Sequence, residues 1–271
     1  MARSRLRSAR VLAALAALGA AGLGCRGDGP SWKLTWSDEF DGAAGQPPSA
    51  AIWSADVGTG WGNAQLEYDT ARTENAALDG DGHLVITARK EPYEGSAYTS
   101  ARLLTKGKVE QKYGRIEARI KLPVGQGMWP AFWLLGRNID EVGWPTCGEI
   151  DVMEYRGQNP SVALGTIHGP GYSGGAAISD AYVLEGAGFD QDFHVFAVEW
   201  HEGRIVWEVD GKVYHSVSKS SLPAGAPWVF DQPFFILLNL AVGGTFVGSP
   251  DASTVFPQSM IVDHVRIYER D

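Results

Sequence analysis

The stretch GRIEARIKL, residues 114–122, has the alternation of a β-strand that buries one of its faces. Its four apolar residues, from Ile116 to Leu122, fall on one side of a strand, and its four charged residues fall on the other side. A strand with this pattern belongs to a sheet that packs one face against a core and turns the other face to water.

Two stretches further along the chain extend this prediction. RIVWEVDGKVYHSV, residues 204–217, carries Asp210-Gly211 between two β-rich runs, which is a strong hairpin signal. PFFILLNLAVGG, residues 233–244, is apolar at odd and even positions alike, which suits a strand sandwiched between sheets. After residue 25 no long segment has helical periodicity. The sequence therefore predicts an all-β fold, a jelly-roll sandwich of two antiparallel sheets with a concave face.

The composition fits one large β domain. The chain has 271 residues with 34 glycines and 10 tryptophans, which suits many short strands joined by tight turns. Its formal charge of −9 argues against nucleic acid or an anionic membrane surface as the main partner, because both favour a basic patch. We expect a single domain that acts as a monomer.

The first 25 residues have the pattern of an export signal, in which arginines precede an apolar run too short to span a bilayer. The small residues before Cys25 resemble a bacterial lipobox, although ordinary cleavage would make this cysteine incidental. We expect a short tether at 26–31, a domain at 32–271, and export as a cell-envelope lipoprotein or a secreted protein. A lipid anchor on Cys25 would be its membrane attachment, and would leave Cys147 without a disulfide partner.

The stretch CGEIDVMEYRG, residues 147–157, concentrates three carboxylates in a strand-like run. Alternation places Glu149 and Asp151 on one face, whereas Glu154 has the wrong parity. Glu154 rejoins the other two if Met153 is accommodated as the extra residue of a β-bulge, and bulges are frequent beside active sites. The sequence therefore predicts a bulged strand with three acids on one face.

Three interpretations fit such a triplet. Like charges on one strand face cost stability, and crowding can keep one carboxyl protonated while another is ionised, as in the acid and nucleophile pair of glycosidases. Clustered oxygens also suit a calcium ion. A solvated acidic strand without function is the third alternative.

Together with its surroundings, the triplet resembles the E-x-D-x-x-E signature of glycoside hydrolase family 16, in its laminarinase branch. The resemblance covers residues 32–271 and implies an endo-β-1,3-glucanase with a jelly-roll fold and an open cleft. Same-fold enzymes for mixed-linkage glucan, agar or carrageenan remain alternatives, as does a non-catalytic glucan-binding protein. The further matching stretches are WSDEFDG, NAQLEYDT, LVITARKE, YTSARLLTKGK, YGRIEARIKLP, GMWPAFWLLG, GWPTCGEID, LNLAVGG and VDHVRIYER.

The resemblance also implies catalytic roles. Glu149 would be the nucleophile of a retaining double displacement, and Glu154 the general acid and base. Asp151 would tune and orient the nucleophile, and His168, in TIHGPGYSGG, would join the cluster from the neighbouring strand. No catalytic metal or other catalytic cofactor is implied.

Aromatic and amide side chains are the candidates for binding sugar, because sugar rings pack their C–H faces on aromatic rings. Trp129 and Trp144 lie next to Pro and Gly in loop-like sequence, so we expect both to stack on sugar. Trp133, within AFWLLG, suits the core and the cleft floor equally. The resemblance adds four polar positions, which are Asn63, Arg89, Asn239 and Gln258.

The sequence departs from the laminarinase pattern in two places. GGTFVG places Thr245 and Phe246 where Asn and Trp are common, and NAQLEYDT exchanges the usual Glu and Gln at Gln65 and Glu67. These changes leave the catalytic acids untouched but bear on subsite preference.

The resemblance also implies a structural calcium ion away from the cleft. Glu39, Gly82 and Asp263 match the positions that would bind it, through carboxylate and carbonyl oxygens.

Overall fold

The computed structural model describes residues 31–271, where almost all regular structure is β-strand. One short helix, α1 (Ile139–Val142), and two 3₁₀ turns at Gly174–Ala176 and Lys219–Ser221 complete it. In chain order the strands are β1 (Trp32–Asp38), β2 (Ser54–Asp56), β3 (Glu67–Asp69), β4 (Ala76–Leu78), β5 (Leu84–Tyr93), β6 (Ser96–Ser100), β7 (Arg102–Leu104), β8 (Glu110–Gln111), β9 (Gly114–Lys121), β10 (Met128–Gly136), β11 (Glu149–Tyr155), β12 (Val162–His168), β13 (Ile178–Val183), β14 (His194–His201), β15 (Arg204–Val209), β16 (Lys212–Ser218), β17 (Phe234–Val242) and β18 (Gln258–Arg270).

The strands form two sheets, which we name the outer sheet and the cleft sheet. The outer sheet has the order β16-β15-β14-β9-β18-β5-β6-β3, with β1 beside β18 and β4 beside β5. The cleft sheet has the order β13-β12-β11-β10-β17-β7-β2, with β8 beside β17. Neighbours are antiparallel except β3 and β6, which are parallel. Pairing between strands far apart in sequence, such as β9 and β18, gives the predicted jelly-roll sandwich.

The core lies between the two sheets, and β9 shows how the sequence builds it. Its apolar face is fully buried from Ile116 to Ile120, both at 0% exposure, and Leu122, directly after the strand, is 2% exposed. The charged face is less exposed to solvent than predicted, since Glu117 is only 8% exposed. Its carboxylate accepts hydrogen bonds from Arg115 Nε (2.9 Å) and Tyr268 Oη (2.9 Å). Buried charges persist where such partners satisfy them.

Strand β17 is buried along its whole length, as its continuous apolar sequence predicts. Its even-numbered residues, from Phe234 to Val242, belong to the core between the sheets. On the other face Phe235 and Leu237 pack with Leu135 of the adjacent β10. The second face is therefore covered by side chains of the cleft sheet itself, and the prediction of a strand sandwiched between sheets was wrong in this respect.

The predicted hairpin joins β15 and β16. Asp210 and Gly211 form its tip with φ angles of 50° and 74°. A tight type I′ turn requires positive φ at both central residues, and the Asp-Gly pair tolerates this conformation.

The predicted bulge interrupts β11 between its acidic residues. Met153 pairs with Phe132 of β10, and Asp151 pairs with the next residue, Trp133. Val152 therefore has no partner on β10 and is the extra residue on that side. On the β12 side Val152 and Met153 together stand opposite Gly165, so Met153 takes part in the predicted bulge, although the residue skipped on the β10 side is Val152. The bulge restores parity, so Glu149 and Glu154 turn away from the core on the same face.

Residues 1–30 lie outside the described part of the chain. The predicted signal, the lipobox Cys25 and most of the tether therefore remain predictions. Among residues 31–271 no helix is both long and apolar enough to span a membrane. Cys147 is a buried free thiol.

Candidate active site

Strand β11 presents the three acids between two neighbouring strands. Glu149 lies opposite His168 of β12, and Asp151 lies opposite Trp133 of β10. Glu154 lies beyond the bulge, opposite Ala131 of β10. The structure thus brings together the acids and the histidine that the sequence predicts.

The Glu149 carboxylate is held from two sides. Trp144 Nε1 donates a hydrogen bond to Glu149 Oε2 at 2.6 Å. His168 Nε2 lies 3.9 Å from the other oxygen, Oε1. A hydrogen bond donated to a carboxylate favours its ionised form, so the indole N–H opposes the effect of burial on Glu149.

Asp151 is the most enclosed member of the cluster, with 2% exposure. Its Oδ2 lies 3.2 Å from His168 Nε2, but the contact is poorly aligned and leaves this oxygen without a hydrogen bond. His168 Nδ1 accepts the Gly174 backbone N–H at 3.1 Å, so a neutral imidazole carries its proton on Nε2, facing the acids. Trp207 Nε1 donates to the Asp151 carbonyl at 2.8 Å and supports the bulged backbone.

Glu154 has its own indole donor. Trp129 Nε1 donates to Glu154 Oε1 at 3.1 Å. The two outer acids are therefore each paired with a tryptophan from a different segment, Trp144 before β11 and Trp129 at the start of β10.

Burial has the largest effect on the pKa values of the three carboxyls. Burial and the charge of Asp151 raise the pKa of Glu149 to about 8, and burial and the charge of Glu149 raise the pKa of Glu154 to about 7. Burial and the charge of Glu154 hold the pKa of Asp151 well above its usual range. The three carboxyls titrate as one system, so at neutral pH the cluster keeps at least one proton to donate.

We expect Glu154→Gln to raise the free energy of unfolding at pH 8 and to leave it almost unchanged at pH 4. The ordinary glutamate pKa is 4.5 and that of folded Glu154 is about 7, so stability falls as pH rises between these values. The penalty is fully present above the folded pKa and amounts to about 3 kcal/mol, which the neutral glutamine removes. Urea unfolding at both pH values measures it, with exposed Glu141→Gln as control. Equal effects at pH 4 and pH 8 would argue against this origin.

The three tryptophans predicted to bind sugar differ in solvent exposure. Trp144 is 48% exposed, as a sugar-stacking ring requires. Trp133 is partly buried on β10, opposite Asp151 of β11, where its Nε1 donates to Asn239 Oδ1 at 2.7 Å. Trp129 is only 8% exposed, which does not suit a stacking platform. Its neighbours in sequence suggested a loop, but it lies in β10 and uses its indole to contact Glu154.

Arg102 was missed by the sequence interpretation. It lies on β7 between Asn239 of β17 and Asp56 of β2. Its guanidinium is 4.8 Å from the Trp133 ring centroid and 5.1 Å from that of Trp61, and its Nε donates to Asp56 at 3.0 Å. Its position depends on pairing with distant strands, and no local pattern could have revealed it.

The remaining predicted binding residues are dispersed. The Asn63 carbonyl accepts the Thr245 backbone N–H at 2.8 Å, which places Asn63 at the Trp129 end of the cleft sheet. Arg89 lies in the outer sheet, on β5. Gln258 braces two loops, accepting the Val124 N–H at 3.2 Å and donating to the Val255 carbonyl at 3.0 Å. Their roles in substrate binding remain predictions.

The predicted calcium ligands fit only in part. Both Glu39 carboxylate oxygens accept hydrogen bonds from Arg266, at 2.9 and 2.8 Å, so this carboxylate does not suit a cation. Gly82 lies beside the Glu39 carbonyl, and Asp263 bonds Arg119 through one oxygen, Oδ2, at 2.9 Å. The oxygens that remain for calcium are main-chain carbonyls and Asp263 Oδ1.

A second group of donor atoms lies in the acidic cluster itself. Glu149, Asp151 and His168 each offer one atom, and these atoms lie within 4.8 Å of one another. A set that includes an imidazole nitrogen suits calcium poorly, because calcium prefers oxygen ligands. The set is better suited to holding and moving protons.

Comparison with known proteins identifies the family. The model for "Glycosyl hydrolases family 16" matches residues 64–257. The chain belongs to glycoside hydrolase family 16. Over 248 residues it is 44% identical to the "Beta-glucanase" of Rhodothermus marinus, across 88% of this chain and 86% of that protein. Other curated relatives are longer, and the chain spans 35% and 38% of two of them.

Solved structures of family 16 members agree with this assignment. The endo-beta-1,3-glucanase from Pyrococcus furiosus is 51% identical with a TM-score of 0.85, over 90% of this chain and 97% of that one. The catalytic domain of an endo-1,3-beta-glucanase (laminarinase) from Thermotoga petrophila RKU-1 is 52% identical with a TM-score of 0.84, over 89% and 99%. The chain is thus a glycoside hydrolase of the laminarinase branch, as its sequence predicted.

Proposed function

We propose that this protein is an endo-β-1,3-glucanase that hydrolyses its substrate with retention of configuration. The observation that carries the proposal is the pairing of Glu149 and Glu154 on one face of β11, each with its own indole donor. The names of its relatives support β-1,3-glucan as the substrate.

In the first step Glu154 acts as the acid and Glu149 as the nucleophile. Glu149 attacks the anomeric carbon while Glu154 protonates the glycosidic oxygen, and the bond to the leaving sugar breaks. Glu149 must be ionised for this step although burial raises its pKa to about 8, and the Trp144 N–H and the nearby His168 favour that ionised form. Burial and the charge of Glu154 favour the protonated form of Asp151. The product is a glycosyl ester of Glu149.

In the second step Glu154, now ionised, removes a proton from a water molecule that attacks the same carbon. The ester bond to Glu149 breaks and its carboxylate is restored, while Glu154 regains the proton that it began with. Two inversions at one carbon give net retention.

The substrate assignment is tested with laminarin, lichenan, agarose and carrageenan side by side, by the release of reducing ends. We expect the highest kcat/KM on laminarin. No release from laminarin together with release from a galactan would replace β-1,3-glucan as the substrate. No release from any of the four would favour a glucan-binding protein, a function that gives no reason for the three acids.

We expect Trp144→Phe and Trp144→Ala to separate two roles of this residue. Phenylalanine keeps a ring for sugar stacking but loses the N–H donated to Glu149, so kcat should fall about tenfold with little change in KM. Alanine also loses the ring, so KM should rise as well. Steady-state kinetics on laminarin decide, and an unchanged kcat for Trp144→Phe would contradict the role of the N–H.

We also propose that the chain is exported, and that any calcium bound near Gly82 and Asp263 is structural. Such an ion would raise the melting temperature by mass action without taking part in the chemistry. Thermal unfolding with calcium and with a chelator tests this, with Asp263→Asn for comparison. Chelation that abolished activity without unfolding would contradict a structural role.

A further inference from the structure

The loop GGTFVG, residues 243–248, differs from the laminarinase pattern. It lies next to Trp129, the indole that donates a hydrogen bond to Glu154. The Phe246 and Trp129 ring centroids are 4.9 Å apart, with 40° between the ring planes. Trp129 in turn donates its N–H to Glu154. A chain of contacts therefore runs from the loop, through one buried indole, to the carboxyl that we assign as acid and base.

The loop is anchored on both sides of Phe246. The Val247 carbonyl accepts hydrogen bonds from Gln126 Nε2 at 2.6 Å and from Gln158 Nε2 at 2.8 Å. On the other side, the Thr245 N–H donates to the Asn63 carbonyl at 2.8 Å. With these bonds the loop holds the Phe246 ring in one place against Trp129.

Arg156 also contacts the Phe246 ring. Its guanidinium lies 4.0 Å from the Phe246 ring centroid, at the distance of a cation–π contact. Arg156 follows Glu154 by two residues in sequence, and its charge opposes the effect of burial on the pKa of Glu154. The Phe246 ring thus contacts two of the groups that favour ionised Glu154, Arg156 through its charge and Trp129 through its N–H.

We propose that Phe246 is a positioning residue for the general acid and base, because its ring holds Trp129 with the indole N–H directed at Glu154. The inference rests on the proposed role of Glu154. It gives a function to one residue of the loop in which this sequence departs from the laminarinase pattern. Phe246 itself need not contact the reacting atoms.

The groups around Glu154 define what a change at Phe246 can do. The charge of Glu149 acts from β11, His168 acts from β12, and Arg156 acts from beyond the end of β11. These groups remain when Phe246 is shortened. The expected change is the loss of one aligned hydrogen bond to Glu154, which raises its pKa and weakens its delivery of the proton.

The test compares Phe246→Ala and Phe246→Trp with wild type on two substrates. Laminarin requires a protonated leaving group, whereas an aryl laminaribioside with a dinitrophenolate leaving group does not. We expect Phe246→Ala to lose about tenfold in kcat/KM on laminarin and less than about twofold on the aryl substrate. The alkaline limb of its pH profile should move to higher pH. Phe246→Trp, which restores a large ring, should recover most of the activity.

Three further variants complete the design. Phe256→Ala removes a phenylalanine stacked on Tyr98 at 5.2 Å and should not change the ratio of the two substrates. Trp129→Phe should reproduce the pH shift, and adding Phe246→Ala to it should have little further effect. Equal losses on both substrates, or an unmoved alkaline limb, would overturn the positioning role. Wild type inactive on laminarin would instead refute the proposed function.

Discussion

Glu149→Gln is expected to abolish turnover on every β-glucan, with a loss of at least about a thousandfold in kcat. Glutamine has nearly the same shape and can still accept the Trp144 N–H, so the fold and substrate binding should persist. It cannot form the glycosyl ester, because an amide is a poor nucleophile toward the anomeric carbon. The loss should therefore appear in kcat.

The measurement is the rate on laminarin at high enzyme concentration, with binding followed separately by the quenching of tryptophan fluorescence. Glu141→Gln is the matched control, since this exposed glutamate lies on α1 before the cluster. More than about a tenth of wild-type kcat in Glu149→Gln would exclude Glu149 as the nucleophile.

Glu154→Ala should have the second largest effect, and this effect should depend on the leaving group. Without the acid, kcat on laminarin should fall by about a hundredfold to ten-thousandfold. On an activated aryl glycoside the first step should proceed, and the glycosyl-enzyme should accumulate because no base activates water.

Added azide should then restore turnover on the aryl substrate, because this small anion attacks the ester without a general base. The expected product is the β-glycosyl azide. Glu149→Gln serves as the comparison, since it forms no ester for azide to attack. A failure of azide to rescue Glu154→Ala, or equal losses on both substrates, would remove the acid and base role from Glu154.

The features that were predictable from the sequence are those with local causes. The alternation in β9, the Asp210-Gly211 turn and the parity of the acids are each set by a few neighbouring residues. For the acids, the required bulge followed from parity alone. Its position at Val152 did not, because it depends on pairing with β10.

The features that were not predictable depend on contacts distant in sequence. Arg102 reaches the cleft because β7 pairs with β17, more than a hundred residues away. The Glu39 carboxylate is occupied by Arg266, near the other end of the chain. Trp129 packs against Phe246, which lies in a loop more than a hundred residues after β10. For Glu39 and Trp129 local chemistry suggested a role that the distant partner then changed, whereas for Arg102 it suggested none.

The stereochemistry of hydrolysis tests the double displacement through Glu149 and Glu154 most directly. Proton NMR of a fresh laminarin digest resolves the anomers of the new reducing ends before they equilibrate. Retention predicts that the β-anomer appears first and that the α-anomer follows only by mutarotation. An initial α-anomer would mean inversion by direct attack of water, and would contradict a covalent intermediate on Glu149.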